Sequence, residues 1–287
     1  MKPGRTWLIS GEPSDGTSLA AEKSARETTM LALLSALKEE TADVRRHMLC
    51  EEISGQEGCR IFRGSYRNKA ILLIQSGMGK ERTERATNFI LEHYPVTALV
   101  SLGFAGALTE EAKVGDIFLC STLYSDNGET PGKNEEDNPY HSDPGLVSLA
   151  CQAPDTTAKL RQGSSVTTTQ LVSQFESRQA LGKIFQADIV DMESYWTARI
   201  ASAKGVPFLA IRAISDSMRD NLPPFDRMLD SNGSWQRKEA GLYFLTHPQQ
   251  MIKLFTLFRN ARQAGRNLST LVDCLLAKLE NETELLR

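Results

Sequence analysis

The sequence predicts an α/β fold: a layered domain on a mainly parallel sheet. Two features carry this. From Met30 to Ile214, short apolar runs of strand length alternate with stretches of helical spacing, the pattern of βα units. Several of these runs are apolar throughout rather than at every second residue, as in strands covered on both faces.

In order, Met30-Leu31-Ala32-Leu33-Leu34 reads as a buried strand and Lys38–Met48 as a helix. Residues 60–66 and 69–75 read as two strands joined by a turn at Arg67-Asn68, and Gly79–His93 as a helix stopped by Pro95. Ala98-Leu99-Val100 opens a buried strand that ends in Gly103-Phe104-Ala105-Gly106, and a strand follows from Ile117 to Leu123. The polar, acidic stretch Ser125–Gly145 reads as a long loop. Residues 165–172 are strand-like, Arg178–Phe185 helical, Ile189-Val190 a short strand, and Glu193–Lys204 a helix. A strand from Phe208 to Ile214 completes the alternation. From about Pro248 the chain is helical, with Leu268, Leu271, Val272, Leu275, Leu276 and Leu279 on one stripe. That stripe suits packing on the chain's own sheet better than a dimer face. Residues 1–28, rich in Gly, Pro and Ser, read as an arm or tail, leaving 29–283 as a single domain.

Composition narrows the function classes. With 33 Lys+Arg against 36 Asp+Glu, net charge −3, the chain lacks the basic footprint of a nucleic-acid binder. A hydrophobic share of 40% argues against global disorder. No apolar run approaches the ~20 residues that span a bilayer, and the first residues lack a signal-peptide core. A cytoplasmic protein is expected. The five cysteines are scattered without a C-x-x-C pair, and the four histidines show no two-ligand spacing, so neither a disulfide framework nor a metal or other cofactor is expected.

In open α/β sheets, ligands bind beyond the carboxyl ends of the strands. Reactive residues recur there: Glu39 and Glu40, then Ser76-Gly77-Met78-Gly79-Lys80, Gly103-Phe104-Ala105-Gly106, Asp191-Met192-Glu193, and Ser215-Asp216. Each has a plain reading when taken singly. Asp216 fits a helix N-cap or turn, Glu39, Glu40 and Glu193 fit first-turn helix acids, and Gly103 and Gly106 fit a tight strand-to-helix turn. Phe104 fits a core position. Gly77, Gly79 and Lys80 lack the full phosphate-cradle spacing.

Taken together, Ser35–Glu40, Ser76–Lys80, Gly103–Leu108 running to Val114-Gly115-Asp116-Ile117, Asp191–Ser194 and Arg212–Asp216 resemble the nucleoside phosphorylase/nucleosidase superfamily. Within it they resemble the methylthioadenosine/S-adenosylhomocysteine nucleosidase branch. The resemblance spans roughly residues 30–217. It implies a three-layer αβα fold around a central mixed sheet, a purine nucleoside as partner, and a homodimer or higher homo-oligomer. By the same resemblance, Asp216 is the acid at purine N7 and Glu40 the carboxylate that activates water. Met192 and Glu193 lie at the ribose, with Glu193 accepting bonds from the sugar hydroxyls. Gly106 and the backbone near Val172 line the base pocket, and Ala105, Ser215 and Phe104 also bind substrate. Phe104 stands where a small residue is common, and Asp191 replaces a glutamate often found there.

The implied chemistry suits these groups. A purine leaves badly as an anion, and an acid at N7 contributes about 10²–10⁴-fold. A phosphorylase needs cations or helix amides where its anion sits, and Glu40 at that position repels phosphate, although Lys80 remains available as an anion ligand. An Asp at the base edge tolerates a 6-amino group, which points to adenine. Three alternatives stay open: a phosphate-dependent phosphorylase, a nucleosidase for another adenosine derivative such as a bulky lipid-linked one, and a non-catalytic binding protein on the same scaffold.

Overall fold

The structure is a computed structural model that describes residues 29–53, 58–67, 69–126, 138–152, 158–220, 222 and 248–281. The expected arm, 1–28, lies outside the described residues, as does most of the expected loop 125–145. The strands are β1 (Met30–Ser35), β2 (Leu49–Ile53), β3 (Arg60–Tyr66), β4 (Lys69–Gln75), β5 (Val96–Ala107), β6 (Ile117–Asp126), β7 (Tyr140–His141), β8 (Leu160–Thr168), β9 (Ile189–Asp191) and β10 (Phe208–Asp216). The helices are α1 (Ala42–His47), α2 (Lys80–His93), α3 (Pro144–Cys151), α4 (Phe175–Phe185), α5 (Ser194–Ala203) and α6 (Pro248–Asn281).

One mixed sheet holds all the strands in the order β10-β6-β8-β9-β5-β1-β4-β3-β2, with β7 beside β6. Because β10 also pairs with β5, strands β5, β10, β6, β8 and β9 form a closed hydrogen-bonded ring. Of the other five, β1, β4, β3 and β2 extend from it through β1, and β7 lies against β6. Ring closure brings the ends of β5, β9 and β10 to one rim, and β1 and β4 lie alongside in parallel register with β5.

Why β1 is apolar throughout is plain from its surroundings. Leu31 and Leu33 face a core shared with α1, α3 and α6. Met30, Ala32 and Leu34 face the opposite core, shared with α2 and α5. A strand between two helical layers needs apolar side chains on both faces, and that makes the three layers. A smaller cluster seats α4 through Leu181 on Val166 and Val190.

The stripe Leu268, Leu271, Val272, Leu275, Leu276 and Leu279 belongs to the first of these cores and is 0–1% exposed. Its apolar surface is consumed within the chain. Several boundaries differ from expectation. The helix expected from Lys38 begins at Ala42, because the Glu40 carboxylate accepts the N–H groups of Ala36 and Leu37 and holds those residues in a turn. The strand expected over 165–172 starts at Leu160 and stops at Thr168, whose hydroxyl donates to the Gln170 carbonyl. Strand β2 and helix α3 have no counterpart in the sequence reading.

Because Leu271 is fully buried under the sheet, Leu271→Ala is expected to cost about 2–5 kcal/mol of unfolding free energy. Urea denaturation measures this.

Candidate active site

Five segments converge at the rim where the strands end. The turn after β1 brings Glu40, the turn after β4 brings Met78, β5 brings Phe104, Ala105 and Gly106, the end of β9 brings Asp191, Met192 and Glu193, and β10 brings Ser215 and Asp216. Val172, from the stretch after β8, completes the wall. All nine residues expected at the site line this one cavity: Glu40, Phe104, Ala105, Gly106, Val172, Met192, Glu193, Ser215 and Asp216.

The glycines work otherwise than expected. Strand β5 runs straight through Gly103 and Gly106, so neither makes a turn. A Cβ on Gly106 would stand 2.8 Å from Asp216 Oδ2, and one on Gly103 would stand 3.2 Å from the Arg212 guanidinium carbon. Their role is close approach. Opposite Gly106, the register of β10 against β5 shifts between Ile214 and Asp216. Such a bulge re-aims side chains, and here Asp216 meets Gly106.

Each carboxylate is supported differently. Glu40 is buried, its Oε2 accepting the N–H groups of Ala36 (2.9 Å) and Leu37 (2.8 Å), its Oε1 that of Phe104 (3.0 Å). Burial pushes its carboxyl up to about 7, against the pull of those bonds and of Arg212. Glu193 accepts the N–H of Gly79, at the N-terminus of α2 (3.0 Å). Burial, with Asp191 and Glu40 nearby, pushes it up to about 8. It does not cap its own helix. Asp216 takes the Ser215 hydroxyl on Oδ1 (2.6 Å) and the Arg178 Nη2 on Oδ2 (2.5 Å). Burial still holds it above the usual carboxylate range, against the Arg178 charge. Beneath them, Asp191 pairs with Arg212 (2.7 Å) and accepts the Thr167 (2.6 Å) and Ser194 hydroxyls.

Arg178, which lines the cavity, and Arg212 behind it are therefore each engaged by a carboxylate. Lys80 is turned away: its ammonium lies 4.2 Å from the centre of the Trp196 ring, and it does not line the cavity. Among the described residues no cluster of three or more His, Cys, Asp or Glu is arranged to hold a metal ion. The sequence reading missed Arg178 altogether, taking it only as the first residue of a helix. Charge on a helix gives no sign of burial. It also missed Leu171, which lines the mouth and is 42% exposed, and Thr168. Met78 was legible only as part of Ser76–Lys80.

The raised Glu193 carboxyl makes a stability prediction. Between the ordinary value, near 4.5, and about 8, the folded protein keeps a proton that the unfolded chain releases. Stability must then fall as pH rises through that window. Glu193→Gln removes the penalty, so it is expected to be more stable than the parent at pH 9. The two should coincide below pH 4.5, as read from denaturation midpoints.

Over residues 30–240 the sequence matches the phosphorylase superfamily. It is 26% identical over 214 residues to the 5'-methylthioadenosine/S-adenosylhomocysteine nucleosidase of Bacillus cytotoxicus, covering 70% of this chain and 91% of that one. The same nucleosidase of Bacillus thuringiensis matches at 25% over the same shares. In fold, the chain resembles the Neisseria meningitidis 5'-methylthioadenosine/S-adenosylhomocysteine nucleosidase, solved in complex with methylthio-immucillin-A. The TM-score is 0.69 at 22% identity, over 87% of this chain and 98% of that one. It also resembles futalosine hydrolase of Helicobacter pylori, with a TM-score of 0.66 at 23% identity, over 86% and 98%. With a match across most of its length, the chain belongs to the phosphorylase superfamily.

Proposed function

We propose that this chain hydrolyses the N-glycosidic bond of a 5'-modified adenosine, of the methylthioadenosine or S-adenosylhomocysteine type, and releases adenine. One observation carries the reading. Three carboxylates from distant parts of the sequence, Glu40, Glu193 and Asp216, share one cavity whose lining guanidinium, Arg178, is already engaged by Asp216. An attacking phosphate would find the lining guanidinium already held by Asp216, whereas water needs a base. The names of the relatives above support the substrate class.

In the proposed chemistry Glu40, with its carboxyl near 7, takes a proton from water as the water adds to C1′. A base poised near the working pH is the efficient choice. The C1′–N9 electron pair passes to the purine, and Asp216 gives N7 a proton. Burial raises its affinity for that proton. Glu193, with Met192 beside it, holds the ribose hydroxyls, its carboxyl oxygen accepting their hydrogen bonds. Phe104, Ala105, Gly106, Val172 and Ser215 enclose the base. The reading includes a homo-oligomer, as the family resemblance implies, and a cytoplasmic location.

Incubation with 5'-methylthioadenosine is expected to release adenine at the same rate with and without phosphate. Formation of a sugar 1-phosphate instead would make the chain a phosphorylase. Asp216→Asn is expected to lower kcat about 10²–10⁴-fold with a small change in KM, as measured by steady-state adenine release.

A further inference from the structure

The buried partner of Asp216 has no role in the scheme above. Arg178 is 1% exposed, yet it lines the cavity. Its three nitrogens bind three acceptors: Nε the Val172 carbonyl (2.9 Å), Nη1 the Ser217 carbonyl (2.8 Å), and Nη2 Asp216 Oδ2 (2.5 Å). Two of these acceptors belong to the chain segments on either side of the base end, one entering α4 and one leaving β10. A Cβ on Gly106 would stand 3.3 Å from Nη2, so the guanidinium borders the slot that Gly106 keeps open. A planar fork fixed at three points has one position.

From this geometry we propose that Arg178 is a positioning residue for Asp216: it fixes the carboxyl group at the base edge and favours release of its proton as the glycosidic bond breaks. The proposal rests on the nucleosidase reading. In that step Asp216 begins protonated and ends as a carboxylate, N7 gaining the proton while the C1′–N9 pair passes to the purine. A cation beside it interacts weakly with the neutral acid and strongly with the carboxylate. Its contribution therefore grows toward the transition state, where it lowers the barrier. The charged and polar groups facing Asp216 are Arg178 from α4, the Ser215 hydroxyl from β10, and Asp220, whose charge acts in the opposite sense. Gly106 of β5 and Val190 of β9 bring none. Without Arg178, burial and Asp220 act upward on the carboxyl against the Ser215 hydroxyl alone.

The test is kcat/KM for 5'-methylthioadenosine against pH in the parent, Arg178→Lys and Arg178→Met. The alkaline limb reports loss of the proton from the acid. In Arg178→Met it is expected to move up by about one pH unit or more, with kcat at least tenfold lower. Arg178→Lys, which keeps the charge but not the fork, is expected to keep the limb and lose kcat. Should Arg178→Met not fold, Arg178→Gln takes its place. Titration of the Asp216 carboxyl by ¹³C NMR, which needs no turnover, is expected to show the same upward shift. A folded charge-removing variant with an unmoved limb and unmoved titration overturns the proposal. So does a limb that moves as far in Arg178→Lys as in Arg178→Met. A parent protein that releases no adenine from 5'-modified adenosines defeats the nucleosidase reading instead, and the NMR titration still decides whether Arg178 controls Asp216.

Discussion

Four carboxylates meet at one rim of one sheet, those of Glu40, Asp191 and Asp216 buried and that of Glu193 half-buried, and the rest of the site follows from that constraint. An ionised carboxylate away from solvent must find donors or keep its proton. The fold answers differently at each position. Asp191 receives Arg212 and two hydroxyls. Asp216 receives Arg178 and one hydroxyl. Glu40 receives three backbone N–H groups, and the one hydrogen bond described for Glu193 comes from the Gly79 N–H. Unequal support gives unequal proton affinities, and acid and base work at one pH needs this.

The scaffold supplies the support by bringing strand ends together. Closing β5, β10, β6, β8 and β9 into a ring places Arg212 between Ser101 of β5 and Asp191 of β9. A guanidinium fits so close to β5 because Gly103 has no side chain to obstruct it. Removing either member of such a buried pair leaves an uncompensated charge, so these contacts fix the geometry of the rim. The two helical layers clamp the sheet from both sides, and α6 seals one core with its leucine stripe. In the proposed chemistry this rigidity keeps a base on one side of the sugar and an acid on the other.

Much of this was legible in the sequence. Runs such as Met30–Leu34 and Phe208–Ile214 announced buried strands because both faces are covered. The carboxylates at their ends announced a site because ligands collect there in α/β sheets. Most of what was not legible depended on distant partners. The helix expected from Lys38 is an exception: it starts late because Glu40 bonds back to Ala36 and Leu37 in the turn after β1, a position that reads equally well as a first-turn helix acid. Gly103 and Gly106 looked like turn glycines, since the side chains they accommodate, Arg212 and Asp216, lie more than a hundred residues away. Arg178 looked like any surface arginine at the start of an amphipathic helix. The six-residue apolar stripe of α6 was read correctly because its period alone demands a covered face.

The central claim is that the three acids Glu40, Glu193 and Asp216 act on one sugar–base linkage. A crystal structure of this chain with methylthio-immucillin-A, the ligand carried by the Neisseria relative, addresses it most directly. The account predicts the base within hydrogen-bond distance of the Asp216 carboxyl, the sugar mimic against Glu193, and Glu40 on the opposite face of the ring. A ligand bound elsewhere, or one whose base leaves Asp216 facing only Arg178 and Ser215, would contradict it.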